Sequence, residues 1–174
     1  SMGGLITMLL AAMAPNLIAG AVLNDVGPVI EWAALQRIGQ YLGKSGTFPT
    51  VEAAAASMRA ISAGFGPHTD DEWLALSRPM LRAAPDGQGL MLHYDPAIGE
   101  PFRSVSADAA SSGEAMLWQL YDGIQAQTLV VRGAESDLLG LETAQAMTQR
   151  GPHAQLIQFE GVGHAPTLIA KDQM

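Results

Sequence analysis

The sequence predicts a three-layer αβα fold, doubly wound around a mostly parallel sheet and interrupted by a helical insertion. Three observations predict it. The runs "LIAGAVLND" (17–25), "QTLVVRG" (127–133) and "AQLIQFEG" (154–161) are short and rich in Val, Ile and Leu, as strands buried on both faces are. Helical patterns lie before the first of these runs and between the other two, and strand–helix–strand order implies right-handed parallel crossovers. Residues 29–122 have a different character, with repeated helical periodicity and caps, and they separate the first strand from the second.

Each element has a local reason. Residues 3–14, rich in Leu, Met and Ala, read as a buried helix that Pro15-Asn16 stops. "VGP" (26–28) breaks the chain after the first strand. In "VIEWAALQRIGQYLG" (29–43), Ile30, Ala33, Ala34, Leu35, Ile38 and Leu42 recur with helical periodicity up to Gly43. Thr50 is placed to cap "VEAAAASMRAISAGFG". Thr69 or Asp70 caps "DEWLALSRPMLRAA", with Glu72 at the capping-box position for Thr69. "PDGQG" is a turn, "LMLHYDPAIGEPF" (90–102) reads as irregular, and "SGEAMLWQLYDGI" (112–124) as a short helix. "GLETAQAMTQR" (140–150) is an amphipathic helix stopped by Gly151-Pro152, "VGHAP" a tight loop, and "TLIAKDQM" the start of a last helix.

Composition narrows the function classes. Of 174 residues 48% are hydrophobic, which suits a globular chain with a real core. The formal charge is −8, and the 9 basic residues are scattered, which argues against nucleic acid and anionic membrane as partners. The absence of cysteine removes disulfides, thiolate metal sites and a thiol nucleophile, and suits a cytoplasmic location. The four histidines show no metal-ligand spacing, and the "GFG" and "DGQG" glycines form no dinucleotide fingerprint, so neither metal nor cofactor is expected. The opening run "LITMLLAAMA" follows no basic residue, the first being Arg37, and is expected to be neither leader nor membrane span.

Ligand sites in doubly wound sheets form beyond the C-terminal ends of the strands. The residues there are Glu135 and Asp137 after "TLVVRG" and His164 after "LIQFEG"; Ser1 stands at the start of the first helix. A serine hydroxyl needs a base within hydrogen-bond reach to act as a nucleophile at neutral pH, and histidine suits that task. A carboxylate holds the imidazole tautomer and stabilises the imidazolium. Asp25, after the strand 17–24, is a rival acid, although Asn24 and Asp25 also read as ordinary turn residues. Ser1 also reads as a tag remnant, or as an N-terminal nucleophile with its own amine as base.

These motifs resemble the α/β-hydrolase superfamily. "SMGG" is similar to the second half of the G-x-S-x-G nucleophile elbow, "TLVVRGAESDLL" to the strand and acid loop, "GVGHAPTL" to the histidine loop, and the inserted helices to the cap. The resemblance covers the C-terminal portion of such a protein, beginning at the nucleophile. It implies a hydrolase core over 1–28 and 123–174 and a helical cap over 29–122. It further implies Ser1 as nucleophile, His164 as general base, Asp137 as acid with Asp25 as alternative, and the Met2 N–H in the oxyanion hole. Some members take their acid from the strand before Asp25. Trp32 and Trp118 are candidates for an apolar substrate pocket, packing of the cap being the other reading.

The implied activity is cleavage of a small or medium carboxylic ester, lactone or related acyl compound through an acyl-enzyme. Acyl transfer, perhydrolysis, carbon–carbon bond hydrolysis, or ligand binding without catalysis are the alternatives on the same scaffold. The expected partners are a small acyl substrate and a preceding half of the same protein, which would carry the strand before the elbow and the second oxyanion donor.

Overall fold

The computed structural model describes residues 2–44, 46–104 and 106–173. Three parallel strands form its main sheet in the order β1 (Gly20–Asn24), β5 (Gln127–Gly133), β6 (Gln155–Phe159). Gly20 lies opposite Gln127 and Asn24 opposite Val131, while Leu129 pairs with Gln155 and Gly133 with Phe159. The three strands therefore end together, and the loops that follow them meet at one edge of the sheet.

Helix α1 (Met2–Met13) and helix α7 (Leu141–Gln149) pack against this sheet. Met8 and Ala11 of α1, Leu23 and Val130 of the strands, and Ala144 and Met147 of α7 share one buried core with Val26, Leu139 and Tyr121. Tyr121 is fully buried and its hydroxyl donates to the Met147 carbonyl at 2.7 Å. Ile6, Leu9, Leu10 and Met13 of α1 and Val22 of β1 stay exposed, leaving apolar surface on the outer side of the helix and the sheet edge. No helix among the described residues is long and apolar enough to cross a membrane.

The segment between β1 and β5 is mostly helical, as its periodicity predicts. It carries α2 (Trp32–Tyr41), α3 (Val51–Ile61), α4 (Asp70–Ser77), α5 (Glu100–Ser104) and α6 (Ala107–Asp122). Thr50 caps α3 by accepting from the Ala53 N–H, and Thr69 and Glu72 form the expected capping box on α4. Helix α4 stops earlier than its pattern suggests because Pro79 follows Arg78. The chain instead enters a small antiparallel sheet, with β3 (Leu81–Ala83) and β4 (Leu90–Leu92) in a hairpin and β2 (Thr47–Phe48) on the far side of β4. Gly87 and Gly89, both at positive φ, make its turn, and the Asp86 carboxylate accepts from the Gln88 N–H.

The end of α6 packs on α1 and carries Tyr121 into the main core. One expectation needs correction. The last helix does not form from Thr167. Leu168 adopts a left-handed φ of 59°, its N–H donates to Gln173 Oε1, and among the described residues only the 3-10 turn Lys171–Gln173 follows.

Candidate active site

Asp25 is the first residue beyond β1. Its N–H continues the ladder by donating to the Val131 carbonyl at 2.7 Å, and its φ of 54° then turns the chain out of the sheet. Asp tolerates that left-handed conformation better than most residues. The turn swings the carboxylate over the end of β5, where it is fully buried. All of its recorded partners donate. The Gly133 N–H reaches Oδ1 at 2.9 Å, while the Ser136 hydroxyl at 2.5 Å and His164 Nδ1 at 2.7 Å share Oδ2.

His164 sits in the loop after β6, with its side chain 11% exposed. Three braces hold that loop. The Glu135 N–H donates to the Val162 carbonyl, the Gly163 N–H to the Gly64 carbonyl of the insertion, and Asn24 Nδ2 to the Pro166 carbonyl. Thr167 adds a contact to the insertion, its hydroxyl 2.7 Å from His68 Nε2. With Nδ1 bound to a carboxylate, the neutral ring keeps Nε2 as its free acceptor, which is the arrangement a general base requires.

The structure does not bring Asp137 to His164. Asp137 turns outward from the loop after β5 and takes a two-pronged ion pair from Arg37 of α2, Nε to Oδ2 at 2.7 Å and Nη2 to Oδ1 at 2.8 Å. Those hydrogen bonds hold the Asp137 carboxyl below the usual carboxylate range and push the Arg37 guanidinium up. The chain turns tightly here, and the partners show the two directions: Ser136 reaches inward to Asp25, and Asp137 outward to Arg37 of α2. Asp25, the alternative acid, occupies the place at His164 Nδ1 that Asp137 was expected to fill.

The remaining candidates fall as follows. Ser1 lies outside the described residues. Met2 is the first residue of α1 and is exposed. Trp32 opens α2 and is partly buried, next to Glu31, whose N–H donates to the Leu138 carbonyl. Trp118 is taken up in packing: it meets Tyr121 edge to face, and the Arg150 guanidinium lies 4.0 Å above its ring. A shallow, open depression lies between the insertion and the histidine loop, and its aromatic wall is Trp73, with Arg59, His68 and Gly161 beside it.

Sequence reading missed two residues that build this site. Ser136 is one, hidden beside the more conspicuous Asp137. Arg132 is the other, a buried cation within β5. Its Nε donates to the Leu139 carbonyl and its Nη1 to the Ala134 carbonyl and Gln158 Oε1, so it ties both ends of the acid loop. An arginine in an otherwise apolar strand was the available signal.

Comparison with known proteins adds a frame to this geometry. The model of the alpha/beta hydrolase family matches residues 1–173. A 3-hydroxybutyrate-oligomer hydrolase of Cupriavidus necator is 43% identical over 176 residues, covering 100% of this chain and 60% of that protein. The crystal structure of an alpha/beta hydrolase from Novosphingobium aromaticivorans is 34% identical, with a TM-score of 0.82 over 98% of this chain and 59% of its own. An esterase from Mycobacterium tuberculosis is 26% identical, with a TM-score of 0.64 over 94% of this chain and 52% of its own. The chain thus spans about three fifths of the length of the curated relative it matches.

Proposed function

Since this chain belongs to the alpha/beta hydrolase family, we propose that it carries the triad of a serine ester hydrolase: Ser1 as nucleophile, His164 as general base and Asp25 as the acid. One observation carries the reading, the 2.7 Å contact between His164 Nδ1 and a fully buried Asp25 carboxylate beyond the ends of parallel strands. Ser1, Asp25 and His164 keep the nucleophile–acid–histidine order of the fold.

In this reading Ser1 Oγ attacks the ester carbonyl carbon while His164 Nε2 takes its proton. Asp25 holds the ring tautomer and stabilises the imidazolium. The Met2 N–H, at the positive end of α1, is one donor to the oxyanion. Collapse of the tetrahedral intermediate breaks the bond to the leaving alkoxide, which takes the proton from His164. Water, deprotonated by the same ring, then frees the acid and restores Ser1. The curated relative supports esters of short 3-hydroxy acids as the substrate class. The exposed apolar side of α1 and the free edge of β1 support a further part of the same protein packed against them.

A serine-reactive fluorophosphonate tests the nucleophile. The expected result is a single adduct at Ser1 and loss of turnover of a 3-hydroxybutyrate dimer. An unlabelled Ser1 in protein that still turns over the dimer overturns the assignment.

A further inference from the structure

We propose that Ser136 is a positioning residue of the active site, which moderates the charge that Asp25 presents to His164. The proposal rests on the triad reading above but concerns a residue outside that triad. Its ground is the direction of the Ser136 proton. Ser136 Oγ accepts the N–H groups of Leu138 at 3.2 Å and Leu139 at 3.1 Å, which occupy its lone pairs. The hydroxyl hydrogen then has one direction left, toward Asp25 Oδ2 at 2.5 Å. Asp25 Oδ2 therefore receives two donors, Ser136 and His164 Nδ1, and they share one oxygen's negative charge.

The loop is built to hold that hydroxyl. The Ser136 N–H donates to the Gly133 carbonyl at 3.0 Å, and Arg132 fixes the carbonyls of Ala134 and Leu139 on either side. A serine here does two things a carboxylate could not do next to Asp25. It donates, and it carries no charge of its own. The geometry thus lets the acid come from β1 while the loop after β5 supplies a neutral donor.

Removing the hydroxyl leaves Oδ2 with His164 as its single recorded donor. The charge on that oxygen then acts more fully on the ring, and the imidazolium is favoured. The neutral ring is the active form, so the acidic limb of the kcat/KM profile moves to higher pH. Other charged groups near the pair stay in place: Asp137 and Glu135 on the same loop, Arg37 and Glu31 from the α2 side, Arg132 of β5, and His68 at Thr167.

The test compares full-length wild-type protein with Ser136→Ala, Ser136→Thr and Asp25→Asn on one soluble ester across pH. For Ser136→Ala the acidic limb should rise by about half a unit or more, with little change in KM. Ser136→Thr restores the hydroxyl and should return the limb to the wild-type position. The limb is independent of the amount of active protein, so partial misfolding cannot imitate the shift. If Asp25→Asn abolishes turnover while Ser136→Ala keeps the wild-type limb, the Ser136 assignment is overturned and the triad stands. If Asp25→Asn keeps wild-type turnover, the triad reading falls and this proposal with it.

Discussion

Asp25→Asn separates the two candidate acids most sharply. The carboxylate accepts three hydrogen bonds, one on Oδ1 and two on Oδ2, in a fully buried place. An asparagine offers one carbonyl oxygen and one NH₂ group, so at least one of the three donors faces another donor. If the oxygen stays with Ser136 and His164, the Gly133 N–H is stranded. If it turns to Gly133, His164 must present its lone pair from Nδ1, and Nε2 then carries the proton. A wrong tautomer of this kind costs about 10⁴ in kcat where an acid–His pair serves a serine nucleophile. That fold-loss corresponds to about 5 kcal/mol of transition-state stabilisation. In the other orientation the stranded Gly133 N–H instead costs about 1–3 kcal/mol of folding stability. Asp137→Asn removes only a surface ion pair whose side chains are 38% and 47% exposed, worth about 0.2–1 kcal/mol. Steady-state hydrolysis of a p-nitrophenyl ester, with KM and kcat separated, is the assay, and thermal unfolding of each variant corrects for folding. The expectation is a kcat collapse with near-constant KM for Asp25→Asn, and near-wild-type kinetics for Asp137→Asn. A large kcat loss in Asp137→Asn alone would refute the reasoning.

Other perturbations follow from the same structure. Arg37→Ala should remove a pH-dependent increment of stability, since Asp137 has a folded pKa below its unfolded value. The increment is present above about pH 3.9 and is lost as pH falls through the lower folded value. The melting-temperature gap to wild type should be level near neutrality and close in acid; a gap that widens in acid contradicts the ion pair. Burial pushes the Tyr121 phenol up to about 12, so phenolate difference spectroscopy should find one of the three tyrosines titrating late. The stability that Tyr121 contributes through its neutral form holds below about pH 10 and is lost as pH rises toward that higher value. Tyr121→Phe should abolish the late titration and cost about 1 kcal/mol in denaturant unfolding. Gly133→Ala should cost about 1–3 kcal/mol, since the new methyl would land on the Val162 and Gly163 carbonyls. It should depress kcat further than the stability loss explains, because those carbonyls belong to the histidine loop.

The parallel sheet was legible in the sequence because each strand is a short run of branched apolar residues closed by a breaker. β5 falls on the predicted residues, and Thr50 and Thr69 cap the predicted helices. The β3–β4 hairpin was not legible. "PMLRAA" carries helical periodicity, and only Pro79 together with pairing to Leu90–Leu92 turns it into a strand. The partner of His164 was half legible. Both acids follow a strand, both lie in turn-like sequence, and spacing alone favours neither. What decides between them is direction. The positive φ of Asp25 and the backbone N–H at Gly133 draw one carboxylate inward, while Arg37, a hundred residues earlier in the chain, draws the other outward. Interactions that distant in sequence leave no local pattern to read.

The loop after β5 thereby connects two regions through adjacent residues. Ser136 reaches into the buried Asp25–His164 pair, and Asp137 reaches out to α2 of the insertion. Had Asp137 served His164, this link would not exist, because one carboxylate could not turn both ways. With the acid supplied from β1, the insertion is tied to the acid loop by Arg37 and to the histidine loop by Gly64 and His68. Only the Arg37 tie is an ion pair between partly exposed side chains, so it is the one that salt weakens. The melting temperature should therefore fall with ionic strength more steeply in wild type than in Arg37→Ala, and Asp137→Asn should follow Arg37→Ala. Equal salt dependence in all three proteins would show that this ion pair contributes nothing to holding the insertion on the acid loop.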